Sequence, residues 1–169
     1  MRKISVFLCV VMALMVGLCF SGCSQKMEEK TIGSMTFEVP ENYSKNDANV
    51  SDKDDDRWGW HIENANYVAT DDTSKYVIVY YEQWADDRDL EKMVADHEES
   101  GKNLGEGMTK TVLSKEKQKI GGCDAYLLHE QTETENSTME SYWAAIDGPD
   151  GFYLVTSNNT DVLDTIIFK

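Results

Sequence analysis

Asp52-Lys53-Asp54-Asp55-Asp56, continuing to Glu63, is the densest run of metal-capable side chains in the sequence. Counted from Asp52, the carboxylates of Asp52, Asp54, Asp56 and Glu63 fall at the first, third, fifth and twelfth places of an EF-hand-like calcium loop, and Ca²⁺ takes six to eight oxygen ligands. Arg57 stands where that loop's sharp turn requires glycine, and Trp58 to Ile62 reads as strand where a helix should begin. Two readings stay open: a loose extracellular calcium site on these four residues, or an acidic loop whose crowded charges remain solvated. The three histidines, His61, His97 and His129, lie far apart and none has a partner three or four places on, so a zinc cluster has no local support. His97 reads either as a hydrogen-bonded core residue or as a base. Cys123 reads as a small apolar residue opening a strand, or as a nucleophile paired with a histidine through the fold. Ser114, Ser137, Ser141 and Ser157 sit in no nucleophile elbow, and no glycine-rich phosphate loop occurs. The residues point to no catalytic group and to no cofactor.

Cys23 carries a different kind of chemistry. Arg2 and Lys3 precede an apolar run from Ile4 to Phe20, the layout of a secretory signal. The run is slightly short for a membrane-spanning helix. Phe20-Ser21-Gly22-Cys23 resembles the bacterial lipobox, with Phe20 where that motif usually has leucine. The resemblance implies cleavage before Cys23 and diacylglycerol on its sulfur. A plain secretory signal or an uncleaved anchor is the alternative. Residues 1–22 are then a lipoprotein signal peptide, 23–30 a lipidated N-terminus and polar stalk, and 31–169 a single domain on the extracytoplasmic face of a bacterial cell membrane.

Removing the signal leaves 147 of 169 residues, one domain's length, with 14 basic against 31 acidic side chains, a balance of −17. A surface so acidic excludes nucleic acid as a partner and suits cations or cationic peptides. Cys9 and Cys19 leave with the signal and Cys23 is lipidated, so Cys123 has no partner for a disulfide.

The elements that must position these groups follow from periodicity. Met35–Val39 alternates as a half-buried strand stopped by Pro40, and Glu41–Asp56 is polar enough for a solvated loop. Trp58 to Val68 and Tyr76 to Trp84 read as a hairpin. The second arm is apolar on both sides and so central, covered on both faces. Asp86–Asp89 starts a helix in which Leu90, Met93, Val94 and His97 share one face, and Gly101 and Gly105 end it. Thr109–Lys119, Cys123–Gln131, Met139–Ile146 and Phe152–Thr156 are strands joined at Gly121-Gly122, at Thr132–Thr138 and at Gly148–Gly151. Asn158 or Asn159 caps a short last helix with Val162, Leu163, Ile166 and Ile167 on its apolar face. Strands in succession with two helices give an α+β domain on an antiparallel sheet with flanking helices.

This order, from the strand ending in Val-Pro through Gly121-Gly122-Cys123-Asp124-Ala125-Tyr126 to Gly151-Phe152-Tyr153-Leu154-Val155-Thr156 and a final helix, resembles the Mog1/PsbP-like group. Bacterial lipoproteins of the DcrB type are similar. The resemblance implies accessory and binding roles and supplies no catalytic motif. Trp58, Trp60, Tyr80, Trp84 and Trp143 fall on predicted strands; they are core, or else an open patch for a protein or peptide partner. The reading favoured is a non-catalytic binding or accessory module of the cell envelope. An envelope hydrolase is the alternative, and a pocket holding a histidine beside a carboxylate or Cys123 would favour it.

Overall fold

In the computed structural model the described residues are 26–46, 51–55, 60–83, 89–102, 104–105 and 107–169, with 51–55 and 60 described through their backbone. Eleven strands and two helices are present among them: β1 Met27–Ile32, β2 Met35–Pro40, β3 Tyr43–Lys45, β4 Ser51–Asp55, β5 Trp60–Ala69, β6 Tyr76–Gln83, α1 Leu90–Gly101, β7 Met108–Ile120, β8 Cys123–Thr134, β9 Thr138–Asp147, β10 Gly151–Ser157, α2 Asp161–Asp164 and β11 Ile167–Phe168.

The architecture is α+β, as the pattern predicts. Eight strands form one antiparallel sheet in the order β3-β5-β6-β10-β9-β8-β7, with β4 also pairing β5. Three more, β1-β2-β11, form a small second sheet. Alternation splits the large sheet into two faces. Val77, Val79 and Tyr81 of β6, Tyr153 and Val155 of β10, and Ala144 and Ile146 of β9 point at the small sheet, where Met35, Phe37 and Val39 meet them in the main core. The other face takes α1, with Val94 set against Leu128, Trp143 and Ala145. Helix α1 starts where Asp89 Oδ1 accepts from the Glu91 amide at 2.8 Å, an aspartate N-cap at the positive end of the helix dipole.

Four expectations are corrected. The stalk ends earlier than residue 30: Met27–Ile32 pairs along its whole length with β2. Its polar residues hid it, because the ladder uses main-chain groups and Lys30 lies over the Tyr67 ring while bonding Glu28. The polar stretch after Pro40 is not all loop, since β3 and β4 lie end to end along the outer edge of β5. The last helix is a single turn, after which Ile167 and Phe168 pair with β2. Strand β6 is interior yet not fully covered, for Ile78 on the α1 side is 36% exposed.

Strand β7 is the far edge of the large sheet, 13 residues long and exposed over most of its length. Lys115, Lys117 and Lys119 alternate along it, opposite Leu128, Tyr126 and Asp124 of β8.

Candidate functional site

Each histidine carries a carboxylate partner, and the three pairs are separate. His61 Nε2 lies 2.8 Å from Glu63 on β5, His129 Nε2 lies 2.9 Å from Glu140 and its ring stacks on Tyr142, and His97 Nε2 lies 2.8 Å from Glu130. The pair at His97 is the deepest. Glu130 on β8 is 1% exposed, and its second oxygen accepts from Lys110 Nζ at 3.0 Å. The His97 ring stacks on Trp143 with centroids 3.9 Å apart. Burial pushes the Glu130 carboxyl up, but hydrogen bonds and charge from His97 and Lys110 outweigh it and hold it below the ordinary carboxylate value. Tyr76, its hydroxyl directed to Ser141, borders the cluster, and burial raises its phenol.

At the opposite corner Asp150 gathers four donors. Ser34 gives its amide to Oδ2 at 3.0 Å and its hydroxyl to Oδ1 at 2.6 Å; Tyr153 donates to Oδ1 at 2.7 Å and Tyr81 to Oδ2 at 3.2 Å. Burial raises the Asp150 carboxyl, and these donors more than offset it, so the group lies below its usual value. The stacked phenols beside it, 4.7 Å apart, move the other way: burial and the Asp150 charge push Tyr81 up to about 12 and Tyr153 higher still. Here the polar atoms fasten the β1–β2 turn to the β9–β10 turn. Cys123 opens β8 nearby as a free thiol, its pKa raised by burial and by the charge of Asp147.

Asp52 and Asp54 belong to β4, in register with Glu63 and His61 of β5, so residues 51–55 form a hairpin arm where an EF-hand loop would wrap its ion. Asp56 lies outside the described residues. Among those described, no group of three or more His, Cys, Asp or Glu side chains converges on a metal position.

Of the aromatic set, Trp58 and Trp84 lie outside the described residues, as does Cys23. Trp60, Tyr80 and Trp143 occupy positions on the same face of the large sheet, the α1 side, as Tyr76 and Tyr126 also do. Trp143 is 5% exposed beneath α1 and belongs to the core, a correction to its place in an open patch. Tyr80 is half-buried and donates to Glu82 at 2.8 Å. Around Tyr80 a strip of this face stands beside α1 with Ile78 exposed. The side-chain oxygens of Asn64 and Asn66, opposite Tyr80 and Ile78, are buried and accept no hydrogen bond among the described residues. Sequence reasoning passed over both asparagines, although an amide among the otherwise apolar α1-side positions of β5 is the signal that could have marked them.

Two surface clefts are also present. One of about 310 Å³ is lined by Ile120, Leu127, Leu163 and Ile166 among others, and one of about 540 Å³ by Asn42, Tyr43, Asp71, Lys75, Asn158 and Asn159. Neither is lined by a histidine or by Cys123.

A large antiparallel sheet with a helix on one face and a small sheet on the other is a PsbP-like α+β fold. The chain is similar over 86% of its length, and over 94% of the other's, to the solution structure of cyanobacterial PsbP (CyanoP) from Synechocystis sp. PCC 6803, with a TM-score of 0.63. Identity is 8%, so the likeness is one of fold. No family model and no curated protein matches the sequence.

Proposed function

We propose that this protein is a membrane-anchored, extracytoplasmic lipoprotein whose PsbP-like domain is a non-catalytic binding or accessory module of the cell envelope. One observation carries the binding role: the strip beside α1, where exposed Ile78 and half-buried Tyr80 adjoin two buried amide oxygens that lack donors. A buried acceptor left unpaired costs about 1–3 kcal/mol, and a partner donating to it recovers that cost. Both asparagines are half-buried residues of β5 beside that strip, so a partner would have to open it to meet their oxygens. The alternative, an envelope hydrolase, draws on the three histidine–carboxylate pairs. The deepest of them is closed beneath α1 with its carboxylate out of solvent, which favours a structural duty. The anchor rests on the lipobox resemblance at Cys23.

The test places a photo-crosslinking residue at Ile78 in cells and another at Glu116 on β7 as control. A discrete adduct from position 78, lost when Asn64→Leu and Asn66→Leu are added, is expected. Identical patterns at the two positions would sink the binding reading. Mass spectrometry of the native N-terminal peptide, expected to be lipidated on Cys23, tests the anchor separately.

A further inference from the structure

We infer that the tether at Cys23 stands the domain on end over the bilayer, with the β5–β6 turn facing the lipid and the glycine turns facing away. The inference rests on the lipoprotein reading. Strand β1 begins at Met27, so only residues 24–26 separate it from Cys23. Even fully extended, that linker spans under about 15 Å.

The start of β1 is fixed to one pole of the domain. Met27 pairs with Pro40, and the Glu41 amide donates to the Lys26 carbonyl at 2.8 Å, so the anchor lies beside the exit of β2. From there Asn42 reaches Asp71 at 2.8 Å, and Asn158 bonds the Ser74 carbonyl at 2.7 Å. The β2–β3 turn, the β5–β6 turn and the end of β10 therefore share this pole with the anchor. The cleft lined by Asn42, Asp71, Lys75 and Asn158 opens there too.

The same strands run to the opposite pole and turn at Gly33-Ser34, Gly121-Gly122 and Gly148–Gly151. Asp150 ties the first of these turns to the third, and a side chain at either Gly121 or Gly148 would run into the Phe168 ring. Strand β10 runs between the poles with 7 residues, so they lie at least roughly 23 Å apart at about 3.3 Å per residue. The linker is shorter than that separation, and it is attached at one end.

The experiment uses the full chain, exported and processed in a bacterial host, with Cys123→Ala and one new cysteine at exposed Thr73 or exposed Pro149 for a fluorescent donor. The protein is reconstituted in phosphatidylethanolamine–phosphatidylglycerol vesicles with a headgroup acceptor. Transfer from position 73 is expected to exceed that from position 149 several-fold. An insertion of about twenty Gly/Ser residues after Ser24, with a mean span of roughly 25 Å, should erase the difference. Equal transfer from both sites, a reversed order, or a difference that survives the insertion overturns the orientation while the anchor stands. Protein that fails to float with the vesicles and lacks lipid on Cys23 overturns the anchor and the orientation together.

Discussion

Glu130 sits almost out of solvent between His97 and Lys110, so its charge is tolerable only because both partners reach it. Glu130→Gln leaves the Lys110 ammonium half-buried without its counter-charge, and a loss of about 3 kcal/mol is expected, read as a lower urea midpoint at pH 7. The pH dependence has a definite sign. The folded carboxyls of Glu130 and Asp150 lie below their ordinary values of 4.5 and 3.8, so their contribution is complete above those values and is lost as pH falls through the folded ones. Urea midpoints measured from pH 7 down to 3 should fall on the acid side, and less steeply in Glu130→Gln. His97 was legible from its place on the apolar side of the helix, whereas its partners were not. Glu130 and Lys110 are 20 residues apart, and only the β7–β8 register brings them to one helix.

Among the elements, one polar corner ties the turn of the small sheet to the large one, beside the core contacts of Met35, Phe37 and Val39. Asp150 takes both the amide and the hydroxyl of Ser34, so Asp150→Ala should raise hydrogen exchange at Ser34 and along β1 while α1 keeps its protection. Equal loosening of α1 would refute the local role. The long alternating strands, α1 and the glycine turns are written in the sequence because each buries a periodic apolar stripe or needs a positive φ, as Gly121 and Gly122 do at 58° and 86°. Polarity conceals β1, β3 and β4, and brevity conceals β11. They are edge or two-residue strands held by main-chain bonds, and periodicity has little in them to detect. Asn64 and Asn66 were equally silent, since an unpaired acceptor is a property of what surrounds it.

For the molecule as a whole, the bare outer margin of β7 has a consequence for how such proteins share a crowded surface. The outward-facing N–H and C=O groups, from every second residue of this 13-residue edge, would be a template on which copies could stack into aggregates. Lys115, Lys117 and Lys119, ion-paired with Glu98, Glu91 and Asp124, line this margin on the α1 side, and long charged side chains of that kind blunt a sheet edge against a second strand. Replacing the three with threonine should produce large species by light scattering at concentrations where the parent stays monodisperse, and continued monodispersity would discount the lysines. If the chain is anchored as proposed, its copies diffuse in two dimensions and collide often, and a lysine-lined margin would oppose their joining edge to edge.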